Sequence, residues 1–449
     1  MSNGKLFIGL LALYFVTCLL AWNFGGIRVS GDAIGYFQLA ENLKAENGFS
    51  RCDSPPFLPD SSRTPIYPLF ILFFMAVFGS HFSPLVIVLA QAALASLALV
   101  MIKKALDKIG AFPITQAAAF AVVFLGISPT FIDAILMAYS EILLLFFAAV
   151  LLLQLVKFFG QKSRQRAFLN AALIGIILGI MTLTKPICQF MPLVLIGLLA
   201  SRKRLRESGL LLAGFLLAVS PWLWRNYSVF GRADISSIDD YNICEYTARP
   251  LLSTSEYKDY QQISGILALV DDKSVGATQL GYFSFSHGDR YRHCGLSIIK
   301  DHWKAYTKKA LVNLLDFPFS RGSNILTRVF ALDYKAYREL PWEARMKNPR
   351  ALAVFAGASW ELLYRSLFYI LCLLGIYQAF RSRRLFTDNA LVLALLTALY
   401  FIVIISVTQL DDFDQNRLIL PAQLALTFFL PFGIGTAAGR LRSSKPGSD

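Results

Sequence analysis

The chain reads as an all-α polytopic membrane protein of about ten transmembrane helices, with juxtamembrane helices in its first extracytoplasmic loop. Three observations predict this fold class. Hydrophobic residues make up 56% of the 449 and charged residues only 16%. The apolar residues fall in blocks of about 15 to 22, the length needed to cross a hydrocarbon core. The basic residues gather between blocks, at Lys103/Lys104/Lys108, Lys157/Lys162/Arg164/Arg166, Arg202/Lys203/Arg204/Arg206, Arg381/Arg383/Arg384 and Arg440/Arg442/Lys445. With Lys5, eighteen bases face four acids there (Asp107, Glu207, Asp388, Asp449), which accounts for the whole net charge of +14. Charge confined to short loops orients helices with the basic side in the cytoplasm, and it argues against a nucleic-acid partner.

Taken in order, residues 1–24 form a first transmembrane helix, retained because no small-residue cleavage site follows it. An extracytoplasmic loop with juxtamembrane helices occupies 25–82. A helical core runs over 83–224, with spans expected at 83–102, 113–129, 140–158, 167–183, 187–201 and 209–224. A second extracytoplasmic loop or small domain covers 225–357. Further spans at 358–380, 389–409 and 417–437 close the bundle, and 438–449 is a cytoplasmic tail read as disordered. Both termini are then cytoplasmic. The block from Pro65 to Gly79 is excluded from the spans, because counting it would put Lys103, Lys104 and Lys108 outside and invert every later loop. Its two prolines and short length fit a segment that dips into the outer leaflet and returns. In the second loop, Ile298, Ile299, Trp303, Ala310, Leu311, Leu314 and Leu315 recur at helical spacing over 296–317, the pattern of an interfacial helix.

Candidate chemistry concentrates on the outside. Asp32 heads an amphipathic stretch that ends at Asn47-Gly48. Two readings stand for it: a helix cap, or a carboxylate that accepts a proton from a polar acceptor at the membrane interface. Glu141 opens the fourth span and is either a second active acid or a first-turn glutamate favoured by the helix dipole; Asp133 competes with it. Lys185, in a tight outside turn, binds a lipid phosphate or snorkels to headgroups. Arg225, Arg417 and Arg63 complete a set of donors able to surround a phosphate, although Arg417 has Asp412 and Asp414 as nearby alternatives. Cys244 and Cys294 are one of several cysteine pairings open to an outside loop. The sequence lacks a P-loop, a dinucleotide fingerprint, HExxH and paired CxxC motifs, and its four histidines have no metal-site spacing.

Asp32-x3-Tyr36-x2-Leu39-Ala40-x-Asn42-Leu43, then Gly48-Phe49-Ser50, then Arg63-Thr64-Pro65-x-Tyr67-Pro68 all lie in the first outside loop. Ser140-Glu141, Lys185-Pro186 and Pro221-Trp222-x2-Arg225-Asn226-Tyr227 follow in order. Together they resemble the GT-C superfamily of integral-membrane glycosyltransferases, in the branch of protein O-mannosyltransferases and lipid A aminoarabinose transferases. The resemblance covers mainly 6–231 and 417–421.

It implies a polyprenyl-phosphate sugar donor, a lipid, glycan or protein acceptor, and an inverting single displacement facing the periplasm of a bacterial inner membrane. It implies a juxtamembrane helix at 65–79, Asp32 and Glu141 as catalytic acids, and Lys185, Arg225, Arg417 and Arg63 as donor-phosphate ligands. Tyr36, Tyr67 and Asn226 would line the substrate groove. No cofactor is required, but glutamate stands at 141 where the family often has aspartate, which leaves a divalent cation open. Two rival readings are a transporter or lipid flippase, and a ligase using a pyrophosphate-linked glycan. A transporter would place its polar groups nearer the midplane than these helix ends.

Overall fold

The computed structural model describes residues 2–27, 29–80, 83–110, 116–161, 163–253, 256, 285–316, 329–330, 341–410 and 415–439. Among these residues the chain is helical, with a single isolated bridge between Ser50 and Pro59 in place of any sheet. The tail 441–449, and Asp412 and Asp414 as partners for Arg417, lie outside the described residues.

Helix α1 (Asn3–Asn23) is apolar over its whole length and packs against α4 (Ser83–Ile109). Between them lie two short helices, α2 (Asp32–Lys44) and α3 (Ile66–Phe78), which pack on each other. At thirteen residues α3 rises about 20 Å, well short of a bilayer. That agrees with the expectation that the block beginning at Pro65 is juxtamembrane. The core continues through α5 (Ala117–Gly126), α6 (Pro129–Leu136), α7 (Glu141–Phe159), α8 (Arg164–Thr184), α9 (Met191–Ser201) and α10 (Leu205–Phe230).

A short helix α11 (Ile238–Asn242), a π turn at Ile243–Ala248, α12 (Phe285–Asp301) and α13 (Trp303–Asp316) build the outer cap. The amphipathic pattern expected over 296–317 is thus divided between α12 and α13, which meet at His302. Long α14 (Pro349–Arg381), α15 (Asn389–Thr408), α16 (Leu420–Leu426) and α17 (Leu430–Ala437) complete the bundle.

Among the described residues seven helices are long and apolar enough to cross a membrane, and the count reaches nine if the bent pairs α5–α6 and α16–α17 are each one span. Ten was expected. The difference is the stretch 187–201, where Pro186–Cys188 forms a separate 3₁₀ turn and leaves α9 only eleven residues. Such a helix rises about 16 Å.

Close approach of backbones holds the bundle together. A Cβ on Gly175 of α8 would come within 2.0 Å of the Leu211 carbonyl, and one on Gly214 of α10 within 2.2 Å of the Ala172 carbonyl. Small residues at such crossings replace the hydrophobic driving force that helices lose in lipid. Large apolar side chains such as Ile8, Leu169, Leu217 and Leu373 stay exposed on the outer faces, the arrangement of an integral membrane protein.

The α7–α8 hairpin fixes the polarity of the molecule. Glu141 and Lys185 stand at its open end, while Lys157 and Arg164 flank its closed end, one helix length away.

Candidate active site

At the open end of the hairpin, sequence-local features present each charged group. Gly31 precedes α2 with φ of 57°, a left-handed conformation that glycine adopts without strain. A Cβ there would lie 2.5 Å from the Tyr139 hydroxyl, so glycine lets α2 begin against the loop before α7. Asp32 is the first residue of α2, and its carboxylate faces inward to two arginines.

The loop after α2 is shaped by Asn42, whose Nδ2 donates to the carbonyls of Ser50 and Cys52 at 2.7 and 2.8 Å. Buried Asp60 then accepts from the backbone N–H groups of Ser62 and Arg63 and pairs with Arg51 at 2.6 Å. This turn aims Arg63 at Asp32. Lys185 ends α8 in an extended conformation, as the following Pro186 requires. Arg417 sits in a helical turn, Gln415–Leu418, just before α16.

The five groups converge. Asp32 Oδ1 accepts from Arg63 Nη2 at 2.7 Å, and its Oδ2 lies 2.7 Å from Arg417 Nη2. Glu141 Oε1 accepts from Lys185 Nζ at 2.6 Å and lies 3.3 Å from Arg417 Nη1. Arg417 therefore bridges both carboxylates, with its guanidinium 4.8 Å from the Tyr139 ring centroid. Glu141 is 3% exposed, and its Oε2 has no hydrogen-bond partner.

Burial works against ionisation of Asp32, yet Arg63, Arg417 and Lys185 together hold its carboxyl far below the usual carboxylate range. The same pairing holds the Arg63 guanidinium well above its ordinary value despite its burial. Three cations around two carboxylates leave one positive charge in excess, in surroundings where charge is costly to leave unpaired. That excess fits one anion, while Glu141 Oε2 is left without a hydrogen-bond partner among the described residues. Among the described residues no three or more His, Cys, Asp or Glu side chains converge as metal ligands.

These groups open into a cavity of about 760 Å³ whose lining includes Asp32, Tyr36, Arg63, Lys185 and Arg417. Tyr36 stands beneath Arg63, with the guanidinium 4.9 Å from its ring centroid. The cavity continues to Gln189, Asp239 and Tyr241 on the side of the outer cap.

Three residues expected at the site lie elsewhere. Arg225 donates to the Asp60 carbonyl at 2.8 Å and stacks among Phe49, Trp222 and Phe230, so it braces the loop that carries Arg63. Asn226 is fully buried and donates to the carbonyl of Asp234 at 2.7 Å. Tyr67 is fully buried as well, its hydroxyl donating to Gln91 Oε1 at 2.8 Å. None of the three is in the cavity lining. Asp133 is likewise buried away from that lining.

Asp60, Tyr139, Gln189 and Asp239 escaped the sequence reading. A capping aspartate three residues before Arg63 was the one local signal present for Asp60. Cys244 and Cys294 lie beside each other without a disulfide between them.

With this geometry in view, comparison with known proteins is informative. Residues 62–224 match the profile of the dolichyl-phosphate-mannose-protein mannosyltransferase family. The fold is similar to that of the archaeal oligosaccharyltransferase AglB from Archaeoglobus fulgidus, solved in complex with an inhibitory peptide and a dolichol-phosphate. Identity is 16% and the TM-score 0.50, over 99% of this chain and 52% of AglB. The chain thus spans about half the length of that protein. ArnT from Cupriavidus metallidurans bound to undecaprenyl phosphate aligns at 14% identity and a TM-score of 0.42, covering 96% of this chain and 79% of ArnT. No relative was found among curated protein sequences.

The profile match over 62–224 and the fold agree with the expected resemblance to the GT-C superfamily of integral-membrane glycosyltransferases.

Proposed function

We propose that the chain transfers a sugar from a polyprenyl-phosphate donor to an acceptor on the extracytoplasmic side, with inversion at the anomeric carbon. The observation that carries this reading is the net positive cluster of Arg63, Lys185 and Arg417, wrapped around buried Glu141 and half-buried Asp32 and open to a cavity. A phosphodiester carries one negative charge, which matches the excess. Guanidinium and ammonium groups stabilise the phosphate as it departs with a second charge. The matched family profile and the dolichol-phosphate in the archaeal structure support the donor class.

On this reading the acceptor hydroxyl oxygen bonds to the anomeric carbon as the bond from that carbon to the phosphate oxygen breaks. The proton passes to Asp32 and the electron pair leaves with the lipid phosphate. With both oxygens on arginines, Asp32 is a poor base at rest. Donor phosphate, by drawing Arg63 and Arg417 toward itself, raises the basicity of Asp32 where it is needed. Donor binding therefore precedes proton abstraction. Glu141 holds Lys185 and Arg417 in register. The basic clusters at the opposite end of α7 and α8 support a site on the non-cytoplasmic face, the periplasmic side in a bacterial inner membrane.

The test is transfer of labelled sugar by purified protein in nanodiscs, supplied with polyprenyl monophosphate and pyrophosphate donors and a membrane extract as acceptor source. Transfer from the monophosphate donor is expected. Lipid translocation without sugar transfer overturns the reading.

A further inference from the structure

The cavity has a second pole. Across it from the cations, α11 carries Asp239, whose Oδ2 accepts from Gln189 Nε2 at 2.6 Å. Gln189 is the side chain that hydrogen-bonds Asp239, through that one oxygen, and the Asp239 side chain is only partly buried. Neighbouring Asp240 also lines the cavity but is 2% exposed: Arg292 of α12 donates to its Oδ1 at 2.6 Å, and its Oδ2 is buried without a hydrogen-bond partner among the described residues, out of a ligand's reach. Asp239 is thus a carboxylate in the cavity wall with one oxygen left for a ligand.

The spacing to the phosphate pole follows from the backbone. Lys185 and Gln189 are joined by the single 3₁₀ turn Pro186–Cys188, closed by Cys188 N–H to the Lys185 carbonyl and Gln189 N–H to the Pro186 carbonyl. One turn separates residues by about 6 to 8 Å. A phosphate at Lys185 therefore lies about one sugar ring from the Asp239–Gln189 pair. Carboxylate and carboxamide groups offer the acceptors and donors that neighbouring ring hydroxyls need, and the rings of Tyr241 and Tyr246 in the same wall supply apolar faces.

We infer that Asp239 and Gln189 bind ring hydroxyls of the donor's sugar, making α11 and the turn after α8 the part of the site that selects the sugar. This rests on the donor reading above, and it assigns the sugar to residues outside the phosphate cluster. A site built to hydrogen-bond hydroxyls loses affinity steeply when one of its own groups can no longer accept.

The experiment compares binding of undecaprenyl phosphate with that of undecaprenyl phosphate bearing mannose or aminoarabinose, in nanodiscs. Wild-type protein is expected to bind at least one glycosylated lipid more tightly than the bare lipid. Asp239→Asn, which keeps size and a partner for Gln189, is expected to weaken that lipid at least tenfold while bare lipid stays within twofold. Asp239→Asn with wild-type preference for the glycosylated lipid overturns the inference, as does equal weakening of bare and glycosylated lipid. Wild type that binds the bare lipid as tightly as both glycosylated lipids also overturns it and leaves the donor reading standing. Failure to bind any of the three removes the donor reading itself. A raised acceptor KM in Asp239→Asn, with unchanged donor binding, reassigns the pair to the acceptor.

Discussion

The two poles of the cavity are built by different means. At the cationic pole, two charged groups come from the ends of long packed helices, Glu141 at the start of α7 and Lys185 at the end of α8, and Arg417 sits in the short turn before seven-residue α16. Each is held by a buried ion pair. At the hydroxyl-binding pole, Asp239 stands on a five-residue helix in the outer cap, and Gln189 follows a 3₁₀ turn. The contrast teaches that the phosphate end is rigid and set by the bundle, whereas the selective end belongs to a cap that changes without disturbing the spans.

Breaking the cationic pole carries the largest expected effect. Lys185→Met leaves buried Glu141 with Arg417 as its one remaining cation, at 3.3 Å, and is expected to cost up to about 3 kcal/mol of stability. Adding Glu141→Gln to Lys185→Met is expected to restore thermal stability but not affinity for undecaprenyl phosphate. Thermal unfolding and lipid titration on the single and double variants separate the two roles. Recovery of lipid affinity in the double variant contradicts the assignment of Lys185 to the phosphate.

At the other pole the expected effect is smaller and depends on pH. Burial pushes Asp239 up to about 6; the hydrogen bond from Gln189 lowers it, the charge of Asp240 raises it and Arg292 lowers it again. The carboxyl binds a proton in the folded protein at pH values where it has lost one in the unfolded chain. Its ionisation therefore costs folding stability as pH rises from about 4 through 6, and the ionised form is the ligand-binding one above 6. Affinity for the glycosylated lipid should rise several-fold between pH 5 and 7 in wild type, and this slope should vanish in Asp239→Asn. A slope unchanged in the variant points to another group.

The smallest effect sharpens the boundary of the phosphate pole. Arg225→Gln is expected to leave undecaprenyl-phosphate affinity within about twofold and to loosen the loop that carries Arg63, read as faster hydrogen exchange over 58–64. A loss of lipid affinity as large as that of Lys185→Met would return Arg225 to the phosphate set.

Much of this architecture was legible in the order of residues, for identifiable reasons. Spans are dictated by apolar length, and the exclusion of the block beginning at Pro65 followed from the charge of the loops after it. The stretch 187–201 is divided by the turn at Pro186 into a 3₁₀ turn and an eleven-residue helix, a break that hydropathy does not register. Asp32, Arg63, Glu141, Lys185 and Arg417 were legible as ionisable groups at outside helix ends, where charge needs a reason. Arg225, Asn226 and Tyr67 share that setting but are consumed by local bonds, a distinction only side-chain geometry makes. Gln189 and Asp239 were hidden because a neutral amide in a turn and an acid in a polar loop carry no sequence signature. Their pairing spans fifty residues.

The central claim is that Asp32 acts on chemistry while the surrounding cations hold the donor phosphate. Single-turnover sugar transfer and undecaprenyl-phosphate binding, measured together on wild type and Asp32→Asn, test it most directly. The account predicts that transfer falls by about 10² to 10⁴, with lipid affinity kept or increased because Arg63 and Arg417 are released. Wild-type transfer by Asp32→Asn, or a loss of lipid binding as large as the loss of transfer, would contradict it.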